Sequence, residues 1–111
     1  MLSLQILILA LIAYLLGSIP SSIWIGRSYF GMDVREFGSG NAGATNTFRV
    51  LGTKAGIIVL FLDIIKGVTA ASLVHYLGSV SHGTERFVNL QLFFGILAVV
   101  GHIFPVFENF K

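Results

Sequence analysis

The sequence predicts an all-α integral membrane protein: three transmembrane helices, with a cytoplasmic glycine-rich loop and a short helix between the first two. Of its 111 residues, 55% are apolar and only 11% are charged, whereas a soluble domain carries about 25% charged residues. The mean hydropathy is +0.88, which excludes a disordered chain, since disorder needs low hydrophobicity and high charge. A chain of this length is one domain at most, so we expect a single membrane domain over residues 1–111.

The first predicted span covers about residues 2–26. The first charged side chain is Arg27, and a membrane-spanning helix needs about 20 residues. No basic residue precedes this apolar run, and the run is too long for the core of a secretory signal, so we favour a retained span. The stretch Gly17-Ser-Ile-Pro20 predicts a kink, because proline removes a backbone donor.

The other two spans are predicted at about residues 55–77 and 87–107. Asp63 and Lys66 lie three residues apart in the second span and therefore share a helix face. Ionisable residues in hydrocarbon normally face protein, water or a partner, so the pair is either a structural ion pair or the border of a polar cavity. His102, near the end of the third span, is either a packing hydrogen-bonder or a functional group such as a general base.

The orientation follows from the placement of positive charge, because basic residues mark cytoplasmic loops. The segment between the first two spans, residues 27–54, carries four full positive charges, whereas the connection 78–86 carries only Arg86. The sequence therefore places the 27–54 segment in the cytoplasm, and the N-terminus and the 78–86 turn outside. No basic stripe is present, so the charge gives no reason to expect a nucleic-acid partner.

The 27–54 segment contains the run Gly38-Ser-Gly-Asn-Ala-Gly-Ala-Thr-Asn-Thr-Phe-Arg49-Val-Leu-Gly52. Its first glycines allow the backbone to turn tightly and to approach a ligand, and a short helix ended by Gly52 is expected to follow. If Asn41 caps this helix, then Asn41, Thr45 and Arg49 lie along one face. Backbone N–H groups at a helix start, together with polar side chains and a guanidinium, favour an oxyanion or phosphate site.

Other kinds of site fit the run less well. The spacing Gly38-x-Gly40-x-x-Gly43 matches a dinucleotide-binding fingerprint but lacks the strand–helix context which that fingerprint needs. The chain has no cysteine, which excludes thiolate chemistry. No two histidines have metal-ligand spacing, so a metal site is not expected. The simplest alternative is a flexible membrane loop without chemistry.

Taken together, these stretches resemble one family, the bacterial acyl-phosphate:glycerol-3-phosphate acyltransferases, PlsY. The run from Gly38 to Gly52 is similar to the family's glycine-rich signature, Gly-Ser-Gly-Asn-x-Gly-Ala-Thr-Asn-x-x-Arg-x-Leu-Gly. Three further stretches resemble the family in the same order along the chain: Gly17-Ser-Ile-Pro20, Leu62-Asp-Ile-Ile-Lys-Gly67 and Gly101-His-Ile-Phe-Pro-Val-Phe107.

The resemblance implies an enzyme of phospholipid biosynthesis in the bacterial inner membrane, with its active site facing the cytoplasm. Such enzymes transfer a fatty acyl group from acyl phosphate to the 1-hydroxyl of glycerol 3-phosphate and release lysophosphatidic acid. The implied partners are these two substrates and the lipid bilayer, without a cofactor or a metal.

The resemblance also implies roles for particular residues. Ser39 and His102 match positions in the active site, and Ser39 is expected to orient or polarise the reacting groups without becoming acylated. Arg49 matches an arginine that grips substrate phosphate. The residues implied to bind substrate or to shape the pocket are Asn41, Thr45, Asn46 and Lys66.

Members of the family continue beyond the position of Lys111 with Gly-Gly-Lys-Gly-Val-Ala-Thr and further spans. We therefore expect these residues to be the N-terminal part of a longer multi-span acyltransferase, inactive on their own. The alternative is a non-catalytic membrane binding or assembly subunit that retains an anion-binding loop. A transporter fragment is a third possibility, which the off-centre position of Asp63 and Lys66 disfavours.

Overall fold

The computed structural model describes residues 3–110, and all regular structure within them is helical. The α-helices in chain order are α1 (Leu4–Gly17), α2 (Ser21–Ile25), α3 (Ala44–Leu51), α4 (Thr53–Ser72) and α5 (Glu85–Ile103). A π-helical turn, Gly26–Phe30, follows α2, and 3-10 turns lie at Val34–Glu36, Leu73–Tyr76 and Val106–Glu108. The predicted all-α fold is confirmed, while Leu2 and Lys111, the ends of the predicted topology, lie outside the described residues.

The membrane-spanning candidates agree with the predicted spans. By length and composition, Thr53–Tyr76 and Glu85–Glu108 can each cross a membrane, with hydropathies of 2.2 and 2.0. They correspond to the spans predicted at 55–77 and 87–107. The first predicted span consists of two helical pieces, Leu4–Gly17 and Ser21–Phe30, which make a third candidate when they are taken as one span.

The break in the first span lies at the predicted Gly17–Pro20 stretch. The side chain of Ser3 starts α1 by accepting a hydrogen bond from the Ile6 N–H at 3.2 Å. At the other end Pro20 has no N–H to donate to the carbonyl of Leu16, which accepts the N–H of Ile19 at 3.2 Å instead. The predicted kink is therefore a break, and it frees backbone carbonyls that need other donors.

The chain divides into two compact units. The terminal unit comprises Ile19 and the described residues before it, together with those from Lys66 onward, and the loop unit comprises Pro20–Ile65. The single domain predicted for residues 1–111 stays a prediction.

In the terminal unit, α1 packs directly against α5. A Cβ atom on Gly17 would collide with the carbonyl of Ala98, and one on Gly101 would collide with the carbonyl of Tyr14. Small residues allow such close approach of helix backbones in membranes. Larger buried side chains fill the space around this contact, among them Ile6, Leu73, Val74, Phe87 and Phe94.

In the loop unit, buried apolar side chains support the segment that connects the helices. Ile23, Val34 and Val59 have no exposed surface. The helix α3 begins after Gly43, which is extended, and ends at Gly52, whose φ is +95°. The short helix ended by Gly52 is thus found where the sequence predicts it.

Candidate functional site

The side-chain amide of Asn46 holds the glycine-rich loop in place. Its Oδ1 accepts the N–H of Ser39 at 3.0 Å, and its Nδ2 donates to the carbonyls of Val34 at 2.9 Å and Phe37 at 3.1 Å. Only 2% of Asn46 is exposed. A buried amide with these bonds made fixes the surrounding backbone, because breaking them would leave polar groups unsatisfied. These contacts hold the loop backbone in place, and the pocket-shaping role of Asn46 stays a prediction.

A tight turn presents Ser39 to the surface. The Gly40 N–H donates to the carbonyl of Phe37 at 2.9 Å and closes a four-residue turn. Gly38 has a φ of +57°, and a Cβ atom there would collide with Oδ1 of Asn46. Glycine at position 38 is therefore required both by the backbone conformation and by the space left beside the amide.

Ser39 is exposed, and its hydroxyl oxygen accepts the N–H of Asn41 at 3.3 Å. The sequence of the loop unit, residues 20–65, contains no histidine. A serine nucleophile usually has an adjacent general base such as an imidazole. The loop unit by itself therefore builds no serine–histidine pair around Ser39. The expectation that Ser39 orients groups and is not acylated stays a prediction.

The prediction that Asn41 caps α3 is wrong. The N-cap residue is Gly43, and no side chain makes the capping hydrogen bond there. The carbonyl of Gly43 accepts both the N–H and the hydroxyl of Thr47, at 3.0 and 2.8 Å. Because α3 starts only at Ala44, after the extended Gly43, Asn41 remains in the exposed loop. Its proposed place in the binding site stays a prediction.

Thr45 and Arg49 lie one helical turn apart on α3, and both are exposed. Residues four apart share a helix face, so this part of the predicted alignment is present. Between residues 3 and 110, no hydrogen bond or ion pair engages the Arg49 guanidinium. That guanidinium, in the last turn of α3, therefore has its donors available for an anion.

Two other arginines of this segment belong to an ion-pair cluster on Asp33. The Asp33 carboxylate pairs with the side chains of Arg35 at 2.6 Å and Arg27 at 3.4 Å, and also accepts the Arg35 backbone N–H at 3.0 Å. The Arg35 side-chain hydrogen bond is the main cause that lowers the pKa of Asp33 from 3.8 to about 2, and burial opposes it. Because the folded pKa is depressed, this stabilisation is complete above about pH 4 and is lost as the pH falls through about 2.

Lys66 and His102 meet in the terminal unit at the break that follows α1. The Nζ of Lys66 donates to the carbonyls of Gly17 at 2.9 Å and Ile19 at 2.8 Å, and lies 3.0 Å from Nδ1 of His102. Lys66 is only 8% exposed. An ammonium has three donors and no acceptor, and Nζ of Lys66 lies within hydrogen-bonding distance of these two carbonyls and of the His102 ring. Lys66 therefore replaces the donors that the broken helix lacks and fixes the imidazole.

The predicted site residues consequently fall into two groups. Lys66 and His102 lie together in the terminal unit. The loop unit holds Ser39, Asn41, Thr45, Asn46 and Arg49. Sequence reasoning missed the Asp33 cluster. The available signal was an aspartate at the start of a turn, with an arginine two residues later. It also missed the bonds of Thr47, which no pattern in the sequence indicates.

Comparison with known proteins agrees with the resemblance in the glycine-rich run. A sequence model of the family "Glycerol-3-phosphate acyltransferase" matches residues 7–111. The glycerol-3-phosphate acyltransferase of Enterococcus faecalis is 58% identical over 107 residues, which are 96% of this chain and 46% of that protein. The one from Streptococcus mutans is 48% identical over 107 residues, 96% of this chain and 47% of that protein.

Solved structures give the same result for the fold. A crystal structure of PlsY, an integral membrane glycerol 3-phosphate acyltransferase in the glycerol 3-phosphate form, superimposes with a TM-score of 0.76 at 42% identity. The matched region covers 96% of this chain and 50% of the PlsY chain. The crystal structure of the lysophosphatidic acid form superimposes with a TM-score of 0.72 at 41% identity, and the match covers 96% of this chain and 48% of that one.

The chain spans about half the length of the curated relatives that it matches. Within that half, the family match extends over nearly all of the residues, from 7 to 111. The signature in the loop unit and the helical fold agree with that match, and the chain belongs to the glycerol-3-phosphate acyltransferase family, PlsY.

Proposed function

We propose that the protein carrying these residues transfers a fatty acyl group from acyl phosphate to the 1-hydroxyl of glycerol 3-phosphate. Family membership supports acyl transfer to glycerol 3-phosphate. The two PlsY structures, in a glycerol 3-phosphate form and a lysophosphatidic acid form, support the acceptor and the product. Acyl phosphate as the donor rests on the resemblance in the glycine-rich signature.

The observation that carries this proposal is the exposed Arg49 beside a loop that Asn46 holds in place. Both substrates carry phosphate, and a guanidinium binds phosphate through charge-assisted, often bidentate hydrogen bonds. Acyl phosphate already has a good leaving group, so catalysis can rest on positioning two anions and stabilising the oxyanion that develops. A fixed loop with exposed donors supplies both.

In this reaction the 1-hydroxyl oxygen of glycerol 3-phosphate forms the new bond to the acyl carbon, and the bond between that carbon and the phosphate oxygen breaks. Inorganic phosphate leaves, and the hydroxyl proton passes to a phosphate oxygen of the substrate. Ser39 orients or polarises the reacting groups, Arg49 binds phosphate, and Asn41 and Thr45 line the site.

The test is an acyl-transfer assay on the complete gene product, purified and reconstituted in lipid. We expect lysophosphatidic acid and inorganic phosphate in equal amounts from acyl phosphate and glycerol 3-phosphate. The controls are acyl-CoA and acylated acyl carrier protein as donors, and glycerol as acceptor. They should give no product. Saturable binding of glycerol 3-phosphate without transfer would favour the non-catalytic binding subunit instead. Residues 1–111 assayed alone are expected to give no turnover.

We also propose that the protein lies in the bacterial inner membrane with the 27–54 segment in the cytoplasm. The four positive charges of that segment support this orientation, since basic residues mark cytoplasmic loops. The 78–86 turn and the N-terminus then lie outside.

Single cysteines report this orientation directly, because these 111 residues contain none. Glu36 and Ser79 are both exposed and lie in the two segments that the proposal places on opposite sides. In intact cells a membrane-impermeant thiol reagent should label Ser79→Cys, and should label Glu36→Cys only after the membrane is permeabilised. The protein without these cysteines is the control for background. Labelling of Glu36→Cys alone in intact cells would reverse the proposed orientation.

A further inference from the structure

His75 and His82 bring two imidazole nitrogens together outside the proposed catalytic groups. His75 lies in the 3-10 turn after α4, and His82 lies in the connection that leads to α5. The Nδ1 of His75 is 3.4 Å from the Nε2 of His82, and both residues are exposed. Seven residues separate them, so the sequence alone gives no metal-ligand spacing and the pairing appears only in the fold.

The distance between the two nitrogens is the one expected for two ligands of a single tetrahedral metal. Zinc–nitrogen bonds are about 2.0–2.1 Å long, and the edge of a tetrahedron is roughly 1.6 times its centre-to-corner distance, which gives about 3.3–3.4 Å. A direct N–H hydrogen bond between the rings would normally be shorter, at about 2.7–3.2 Å between heavy atoms. The observed 3.4 Å fits a shared metal better than a direct bond.

Both rings pack against Phe87, which is 7% exposed. The Phe87 ring centroid lies 5.3 Å from that of His75, edge to face, and 4.7 Å from that of His82. Phe87 is itself anchored in the first turn of α5, where its N–H donates to the hydroxyl of Thr84 at 3.1 Å. The two imidazoles are therefore held near each other before any ligand binds, which lowers the cost of bringing them to a metal.

The connection that carries His82 is also ordered by its own hydrogen bonds. The Val80 N–H donates to the carbonyl of Leu77 at 3.0 Å, and the hydroxyl of Thr84 donates to the carbonyl of Ser81 at 2.7 Å. Leu77 and Val80 are buried on either side of the exposed Gly78 and Ser79. His82 therefore lies next to His75, in a short turn that these hydrogen bonds hold in place.

We propose that His75 and His82 form a two-histidine site for a divalent transition metal, with water completing the coordination. Imidazole nitrogen suits Zn²⁺, whose sites are usually tetrahedral, whereas Mg²⁺ and Ca²⁺ prefer oxygen ligands. The site is independent of the proposed acyl transfer, because neither histidine belongs to the residues assigned to that reaction.

The experiment titrates the complete protein, purified without a histidine tag, with Zn²⁺ alone and measures binding by isothermal titration calorimetry. We expect saturable binding at a site that needs both histidines. His75→Gln and His82→Gln should each weaken Zn²⁺ binding at least about tenfold, the smallest loss expected even when an outer-shell partner of a metal ligand is removed. Ser79→Gln, an exposed change in the same connection, should leave binding unchanged, and Mg²⁺ should not compete.

Unchanged Zn²⁺ affinity in both histidine variants would overturn the proposal, as would the absence of saturable Zn²⁺ binding by the wild-type protein. Thermal unfolding of each variant shows that it is folded, and since both histidines are exposed the two changes provide separate tests. The acyl-transfer assay, run on the same samples, separates the two proposals: metal binding can fail while transfer persists, and the reverse.

Discussion

Replacing Arg49 by alanine in the complete protein should lower kcat/KM for glycerol 3-phosphate by about ten- to 100-fold, mainly through a higher KM. Hydrogen bonds to charged groups contribute about 1.5–3 kcal/mol, which corresponds to that range. Arg49 is exposed on α3, and none of the described residues bonds to its guanidinium. Its loss should therefore remove substrate binding and leave the fold intact. Steady-state kinetics and a thermal unfolding curve of the same sample measure the two effects.

Arg49→Lys and Arg35→Ala are the matched comparisons. Lysine keeps the charge but cannot form the planar, bidentate contact of a guanidinium, so Arg49→Lys should recover only part of the activity. Arg35 pairs with Asp33 at 2.6 Å, so Arg35→Ala should mainly lower the thermal unfolding temperature and have less effect on the KM for glycerol 3-phosphate. Near-normal kinetics in Arg49→Ala would remove Arg49 from the site, whatever the result of the general acyl-transfer assay.

The fold was predictable where a local property decides it. Predominantly apolar runs of sufficient length predict the helices Thr53–Tyr76 and Glu85–Glu108, and Pro20 predicts the break in the first span because it lacks a donor. The end of α3 at Gly52 was predictable for the same reason, since a positive φ favours glycine.

The internal contacts of the site were not predictable in the same way. The three bonds of Asn46 reach backbone groups 7 to 12 residues away, and their direction depends on how the loop closes. Asn41 does not cap α3, because asparagine is only a frequent cap and the extended residue at which α3 starts is Gly43. Lys66 reaches Gly17 across 49 positions of sequence, which requires the packed helices.

Replacing Lys66 by methionine should destabilise the complete protein and lower its thermal unfolding temperature by several degrees. Methionine keeps the length and apolar stem of the side chain but removes the donors to the carbonyls of Gly17 and Ile19 and to His102. A buried acceptor left without a partner costs about 1–3 kcal/mol. For a protein of roughly 150–250 residues, each kcal/mol lowers the unfolding temperature by about 2–4 °C.

Removing a charged lysine from the membrane should not cancel this loss of stability. A lysine in hydrocarbon costs about 2.5–3.5 kcal/mol on insertion scales, but it is present in the inserted, unpacked helix as well as in the folded protein, so its removal affects both states. Lys54→Met is the matched control, because Lys54 is an exposed lysine on the same helix, and its change should stay within about 0.5 kcal/mol. Equal unfolding temperatures for the two variants would show that the carbonyls at the break find other donors. If only Lys66→Met lowers the unfolding temperature, the donors of Lys66 stabilise the helix break and the position of His102.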